Sequence, residues 1–192
     1  MTASLPAPWP TVIDWIVTIV VAVGAVLAIK QWVVNPYRIP SASMEPTLHC
    51  AGSIGCLSDY SDRVLANRFI FRFRDPERGE IVVFDTPDEA FAKCGAGGTF
   101  VKRVVGLPGE TLVQRNGVLL IDGQRLPEPY LANPGNLGKD FPRTRLDSDE
   151  YFMMGDNRTS SCDSRDWGPV PRSSLIGPVF AVYWPPQRIG FR

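Results

Sequence analysis

The sequence predicts a mostly β fold: a coiled antiparallel β-sheet, or barrel-like sheet, behind one N-terminal transmembrane helix. A long uncharged segment lies near the N-terminus, and short apolar runs rich in β-branched and aromatic residues follow it. No long amphipathic helical pattern appears after residue 36. The 18 prolines and 17 glycines are typical of a loop-rich β domain with many turns.

Length and charge set the expected organisation of the chain. Residues 1–10 form an N-terminal tail, residues 11–34 a transmembrane helix, and residues 35–192 are enough for one domain with a buried core. The formal net charge is zero, so nothing favours a nucleic-acid partner. The four cysteines do not have the close spacing of a zinc site, and we expect no metal and no other cofactor.

The N-terminal segment is long and apolar. Residues 11–34 contain two charges, Asp14 and Lys30, and each lies near one end. About 20 mainly apolar residues are needed to span a bilayer. Pro10 can begin the helix and Pro36 can end it. A cleavable signal peptide would carry a basic residue before the apolar run, and a buried core helix would show a polar stripe, so we expect a membrane span.

The later apolar runs predict strands. They are residues 81–84, 100–105, 112–113, 118–121, 151–154 and 179–184. Asn116-Gly117 between two of these runs is a strong hairpin pattern, and Asp122-Gly123 indicates another tight turn before residues 124–126. Residues 133–145 are polar and contain Gly and Pro, so we expect a loop there.

Lys102 is the first candidate for chemistry. It lies inside a strand pattern and shares a strand face with Phe100 and Val104, whereas Arg103 points to the other face. If the first face is the core, burial lowers the lysine pKa. A base that works near pH 8 needs a drop of about 2–3 pKa units from about 10.4. In the alternative interpretations, Lys102 pairs with a carboxylate or faces solvent.

Ser43 is the second candidate. The chain has a single histidine, His49, only six positions from Ser43, so a Ser-His-Asp arrangement would have to use it, whereas a lysine base needs no histidine. Ser41 could donate its hydroxyl to a developing oxyanion, alongside the Ser43 backbone N–H. The alternative is an ordinary loop serine between two prolines.

A third segment, residues 155–168, is dense in turn-forming and charged residues. A surface loop with solvated ion pairs is the simplest interpretation of such a segment. Asn157-Arg158-Thr159 also matches a glycosylation acceptor, which short sequences match by chance.

Four segments taken together resemble the type I signal peptidases. Residues 43–47, 78–84, 100–110 and 155–168 are similar to the four sequence boxes of that family, in the same order and behind an N-terminal apolar segment. The resemblance implies a membrane-bound Ser–Lys serine endopeptidase with a β-rich fold. The family cleaves signal peptides from exported preproteins after Ala-x-Ala-like sites.

The resemblance also implies a role for each matching residue. Ser43 would be the nucleophile and Lys102 the general base. Ser41 would provide an oxyanion hydroxyl, and Ser161 would orient the Lys102 amine. The residues implied to form ion pairs that hold the last segment against the lysine strand are Arg103, Asp156, Asp163 and Arg165.

The substrate implied by the family is an extended strand with small side chains at the first and third positions before the cut. The residues that match positions lining its shallow apolar pockets are Tyr37, Ile39, Met44, Leu48, Phe100 and Val101. The implied partners are signal-peptide-bearing preproteins and the lipid bilayer, with a monomer working near the secretion translocon. Residues 110–151 are too short for the large accessory β region of some members.

The family implies a single-pass protein of the plasma membrane, with its catalytic domain on the extracytoplasmic side. Lys30 and Arg38 follow the apolar segment and by themselves favour the opposite orientation. We follow the family here. Disulfide pairing stays open, because Cys50–Cys56 and Cys94–Cys162 are competing ideas and four cysteines allow three pairings.

Two other functions compete with the signal peptidase. A cytoplasmic self-cleaving protease of the repressor type shares Ser–Lys chemistry, but the apolar segment and the last box argue against it. A membrane-anchored β module that only presents a binding loop would keep its function without Ser43 and Lys102.

Overall fold

The computed structural model describes residues 9–32, 34–131 and 138–192. In these residues the chain is mostly β and antiparallel, which confirms the predicted class. The helices and strands are α1 Trp9–Trp32, β1 Val34–Arg38, β2 Arg63–Asn67, β3 Ile81–Asp85, α2 Asp88–Cys94, β4 Thr99–Gly106, β5 Thr111–Arg115, β6 Val118–Ile121, β7 Gln124–Arg125, β8 Phe141–Arg145, β9 Glu150–Met154, α3 Ser164–Trp167, β10 Val170–Pro171, β11 Leu175–Trp184 and β12 Gly190–Phe191.

The predicted N-terminal segment forms helix α1, and its large apolar side chains between Val12 and Leu27 are exposed. Over the described residues, no helix combines the length and the hydropathy required to cross a bilayer. The membrane span that the sequence predicts for residues 11–34 is therefore not confirmed. Most of the predicted tail, residues 1–8, lies outside the described residues.

The strands form two antiparallel sheets. The larger sheet has the order β1-β2-β11-β3-β4-β9-β10, and β12 pairs with β11. The smaller sheet has the order β7-β6-β5-β8. The register of β11 shifts against both β2 and β3, and such bulges bend a strand and increase its local twist. Among the described strands, the path of the larger sheet ends at β1 and at β10, so the curled sheet is open.

The predicted apolar runs all lie within strands, and β11 begins four residues before its predicted start. The turn residues Asn116 and Gly117 both have positive φ, 50° and 72°, as a two-residue hairpin requires. The predicted loop over residues 133–145 is wrong at its end, because Phe141–Arg145 pairs with β5. Residues 132–137 lie outside the description.

The β3–β4 ladder carries the site, because both of its faces are buried. Ile81 and Val83 pack into one core cluster with Met44, whereas Val82 and Val104 pack into a second cluster on the other side of the sheet. Alternation along a strand sends successive side chains to opposite faces, so an apolar run buries both. This double burial removes β4 side chains from water.

Candidate active site

Ser43 lies in one turn of 3-10 helix, Ala42–Met44, which follows β1. Ala42, Ser43 and Met44 are all buried, and the two apolar side chains belong to the core. The Ser43 carbonyl oxygen accepts a 3.0 Å hydrogen bond from the backbone N–H of Asn157. Core packing on both sides and this bond fix the position of the Ser43 backbone.

Lys102 lies in β4 opposite Val82 and is 3% exposed. Its Nζ donates a 2.6 Å hydrogen bond to Ser43 Oγ. The amine also lies 5.3 Å from the centre of the Phe100 ring. The two candidates are 59 positions apart in sequence, and the fold brings them into direct contact.

Burial lowers the pKa of Lys102 from its ordinary value of 10.5 to about 8. Desolvation is the main cause, the carboxylates of Asp163 and Asp156 oppose it, and the Arg165 guanidinium adds to it. A neutral amine has a lone pair that can take the Ser43 hydroxyl proton. The site therefore has the geometry and the protonation behaviour that proton transfer between these two residues needs.

Ser41 also lies beside Ser43. The two hydroxyl oxygens are 3.3 Å apart, and Ser41 lines the open cavity that reaches Ser43. A hydroxyl in this position can face an oxygen of a group bound at Ser43.

In the described residues, Ser161 does not make the hydrogen bond that was expected to orient the Lys102 amine. Its Oγ is buried and has no hydrogen-bond partner among the described residues, so no hydrogen bond joins it to Lys102. The hydroxyl helps to lower the pKa of the Asp163 carboxyl, but it does not reach hydrogen-bonding geometry with that group. A Cβ atom at Gly155 would overlap both Ser161 Oγ and the Ser43 carbonyl oxygen, so this close approach requires glycine.

Asp156 joins the lysine strand to the segment that follows Ser43. Its carboxylate accepts bonds of 2.8 and 2.5 Å from Arg103 and one of 2.6 Å from Thr47 Oγ1. Arg103 is thus directed away from Lys102, as strand alternation predicts, and a bidentate guanidinium–carboxylate pair holds its direction.

Asp163 and Arg165 form a second buried pair. Two bonds of 2.8 Å join the guanidinium to the carboxylate, and the backbone N–H of Gly155 donates a third at 3.0 Å. Desolvation raises the pKa of Asp163, but the bonds from Arg165 and Gly155 outweigh it, and the pKa is lowered overall. Asp163 is therefore a carboxylate, and it caps helix α3 through the Arg165 N–H.

Three further buried carboxylates were not predicted. Glu128 binds Arg158 and Tyr130, Asp62 binds Arg188, and Glu45 binds His49. Glu45 also accepts the backbone N–H groups of Cys50 and Leu57, at 3.0 and 3.1 Å. The partners in two of these pairs are far apart in sequence, so no local spacing could have indicated them.

An open cavity of about 360 Å³ begins at Ser43 and Lys102. Its lining residues are Tyr37, Arg38, Ile39, Pro40, Ser41, Ser43, Met44, Ala96, Gly97, Thr99, Phe100, Val101 and Lys102. Five of the six residues expected to bind substrate are among them. Leu48 is not, because it is wholly buried in the core cluster that contains Met44.

Two strands with an edge that no other described strand pairs with border this cavity, which we call the groove. Among the described strands, β1 pairs only with β2, and the first half of β4 pairs only with β3, because β9 joins β4 from Arg103 onward. A free strand edge offers backbone N–H and C=O groups to an extended peptide.

Two disulfide bonds use all four cysteines. Cys50–Cys56 closes a short loop after Ser43, and Cys94–Cys162 joins the end of α2 to the segment that contains Ser161. The two pairings that competed at the level of sequence both form.

Comparison with known proteins identifies the same family as the four sequence segments. The family model described as "Signal peptidase, peptidase S26" matches residues 12–184. A probable signal peptidase I-2 from Synechocystis sp. is 39% identical over 90% of this chain and 73% of its own length. Signal peptidase I of Leptolyngbya laminosa is 36% identical over 98% of this chain and 87% of its own length. A signal peptidase I from Bacillus amyloliquefaciens is 33% identical over 91% and 89%.

The matched region contains β1, the groove and both buried ion pairs, so the similarity covers the complete candidate site. It also confirms the resemblance that the four sequence segments indicated. On these grounds the chain belongs to the signal peptidase family, peptidase S26.

Proposed function

We propose that this protein is a serine endopeptidase that removes N-terminal signal peptides from exported preproteins, with Ser43 as nucleophile and Lys102 as general base. The observation that carries the proposal is the 2.6 Å contact between Lys102 Nζ and Ser43 Oγ at a buried amine whose pKa is about 8. Burial of the lysine has no evident structural benefit, whereas it produces the neutral base that a serine nucleophile requires.

In the proposed reaction, Ser43 Oγ attacks the scissile carbonyl carbon while its proton moves to Lys102 Nζ. The carbonyl π electrons move onto oxygen, and the Ser41 hydroxyl and the Ser43 backbone N–H stabilise the resulting oxyanion. When the intermediate collapses, the C–N bond breaks and Lys102 gives its proton to the leaving amine. Water then attacks the acyl-enzyme with Lys102 again as base, which releases the signal peptide and regenerates Ser43.

The proposed substrate binds as an added strand in the groove. Tyr37 comes from β1 and Ile39 follows that strand directly, whereas Phe100 and Val101 come from the half of β4 that has a free edge. We propose that the groove forms shallow apolar pockets that exclude large side chains by steric contact. We propose that they accept small side chains at the first and third positions before the cut.

We propose that the catalytic domain works on the extracytoplasmic side of the plasma membrane. Two disulfide bonds favour an oxidising compartment. The apolar side chains that α1 exposes between Val12 and Leu27 favour contact with lipid, and we propose that α1 attaches the domain to the bilayer. Flotation of the full chain with liposomes, before and after alkaline extraction, tests this attachment.

The decisive experiment uses the purified full chain in liposomes and a precursor with an Ala-x-Ala site. Wild type should cleave after the final Ala, and Ser43→Ala, Lys102→Ala and Lys102→Arg should reduce cleavage to background. The arginine variant fails because a guanidinium stays charged. Matched controls are Ser173→Ala and Lys93→Ala, both at exposed positions outside the groove, which should cleave normally.

Circular dichroism must show that each variant is folded. Cleavage by Ser43→Ala or by Lys102→Arg would exclude the proposed pair. No cleavage by folded wild type would favour the binding-module alternative, and cleavage confined to its own chain would favour the self-cleaving alternative.

A further inference from the structure

The far end of the groove has a wall that the sequence did not predict. Residues 95–98, which connect α2 to β4, are called the wall segment here. Ala96 and Gly97 of this segment line the same cavity as Ser43 and Lys102. The inference drawn from them rests on the proposed function, because it concerns how far a bound peptide extends along the groove.

The wall segment is fixed at both ends. Before it, Cys94 is bonded to Cys162, and Gly95 ends α2 in a left-handed conformation with φ 66°. After it, the Gly98 carbonyl oxygen accepts bonds from the Thr86 backbone N–H at 2.8 Å and the Thr86 hydroxyl at 3.0 Å. A segment held in this way is a rigid part of the groove, able to discriminate between ligands by shape.

The position of the wall segment defines which part of a peptide it meets. Lys102 marks the reacting bond, and each strand residue advances about 3.3 Å, so Thr99 lies about 10 Å back along β4. That length corresponds to about three residues of an extended peptide. The proposed pockets for the first and third residues before the cut therefore occupy this part of the groove. Ala96 and Gly97 precede Thr99 in the chain and line the same cavity, so we expect them to meet the residues that precede the third.

The side chains of the wall segment are apolar and small, so they leave open space beside them. Three of its four residues are glycines, so a single methyl group is its entire side-chain content. Phe91 of α2 lies next to it: a Cβ atom at Gly97 would lie 3.7 Å from Phe91 Cβ, and Phe91 is 68% exposed. An open apolar recess beside an exposed ring fits a large apolar side chain.

We propose that the wall segment and Phe91 form an additional subsite, which binds a bulky apolar side chain at the fourth or fifth residue before the cut. Ala96 determines the space in this subsite, and Phe91 provides its contact surface. The groove thus combines two opposite preferences. It excludes large substrate side chains next to the reacting bond and binds a large apolar side chain at the end that the Cys94–Cys162 disulfide holds.

The test measures specificity with the full chain in liposomes. Precursors share one Ala-x-Ala site and carry Ala, Leu, Trp or Asp at the fourth position before the cut, and a second set varies the fifth. The readout is the ratio of kcat/KM for Leu to kcat/KM for Ala. We expect wild type to favour Leu by roughly tenfold at one of the two positions, which is the discrimination that apolar pockets usually give.

Two variants and one control localise the effect. Ala96→Trp fills the recess and should lower the Leu-to-Ala ratio about tenfold, and Phe91→Ala should lower it severalfold. Because Phe91 is exposed, its replacement does not endanger folding. Ala92→Trp, on the exposed surface of the same helix but outside the groove, should leave the ratio unchanged.

The outcomes separate this inference from the proposed function. Cleavage by wild type with equal kcat/KM for all four side chains at both positions would overturn the subsite and leave the peptidase intact. An equal change in Ala92→Trp and Ala96→Trp would also overturn it. Failure of wild type to cleave any precursor would reject the proposed function, and the subsite would fall with it.

Discussion

Thr47 and Arg103 bind the same carboxylate, that of Asp156, at 2.6 Å and at 2.5–2.8 Å. Thr47 follows the serine turn and Arg103 is the strand neighbour of Lys102, so one side chain joins the two halves of the proposed catalytic pair. The next residue, Asn157, donates its backbone N–H to the Ser43 carbonyl oxygen. The distance between Ser43 and Lys102 therefore depends in part on Asp156, whose side chain bonds to the neighbours of both residues and to neither residue itself.

Replacing Asp156 should weaken both the fold and the reaction. Asp156→Ala leaves the Arg103 guanidinium buried without its partner, and losses of about 3–5 kcal/mol are typical for such a change. Urea unfolding measures the loss, and kcat on an Ala-x-Ala precursor should fall as well. Asp75→Ala is the matched control, because Asp75 pairs with Arg172 at the surface and should have little effect. Equal unfolding midpoints for the two variants would contradict the bridging role.

The pH dependence of cleavage should follow Lys102. Its pKa is about 8, so the neutral fraction rises about tenfold per pH unit below pH 7 and levels off above about pH 9. A plot of kcat/KM against pH from 6 to 9.5 should show one ascending limb with a midpoint near 8. A flat profile over that range would rule out a lysine base.

Lys102 should support activity at a cost in stability. The folded-state pKa is lowered, so below pH 8 the ammonium is buried at a cost, and this cost disappears as pH rises from about 8 to 10.5. The shift corresponds to about 3 kcal/mol, and loss of the bond to Ser43 returns about 1. Lys102→Met should therefore be inactive but about 2 kcal/mol more stable at pH 7.

The measurement for this variant is urea unfolding at pH 7 and at pH 10. The advantage of Lys102→Met over wild type should shrink at the higher pH, where the wild-type amine is already neutral. A variant that is less stable than wild type at pH 7 would mean that Lys102 contributes packing or hydrogen bonding that exceeds its desolvation cost.

Ser161→Ala distinguishes two roles for this residue. Its Oγ is buried without a hydrogen-bond partner in the described part of the chain, so removing the hydroxyl should leave stability unchanged or raise it by about 1 kcal/mol. If the hydroxyl orients the Lys102 amine during the reaction, kcat should still fall and the midpoint of the pH profile should move. Ser160→Ala, at the exposed neighbouring position, is the control. A destabilised variant would show that the hydroxyl is bonded in solution.

Strands whose apolar runs bury both faces were predicted directly from the sequence. Ile81–Asp85 and Glu150–Met154 are of this kind. β1 was missed because Pro36 and Arg38 interrupt it, and β8 because Phe141–Arg145 contains a proline and two arginines. Edge strands of this type take their structure from a partner strand, and their own side chains do not indicate it.

The candidate site could likewise be predicted from the sequence only in part. Strand alternation predicts the opposite directions of Lys102 and Arg103, but it left open which of the two faces the core. The burial of Lys102 and the contacts with Ser43 and Asp156 depend on the three-dimensional fold. Those contacts were predicted only through the resemblance of four segments to a known family. The position of Leu48 in the core shows where transfer by resemblance fails, because its neighbours decide whether an apolar side chain lines a pocket or lies beneath it.

The free edge of β1 has a further consequence, for behaviour at high concentration. An edge that can accept a peptide strand can also accept the same edge of a second molecule, which is a common start of aggregation. Pro36 has no N–H to offer there, and the exposed charge of Arg38 repels its counterpart across a paired edge. Pro36 and Arg38, which prevented the prediction of β1 from the sequence, are therefore the residues that keep neighbouring molecules from pairing through its edge.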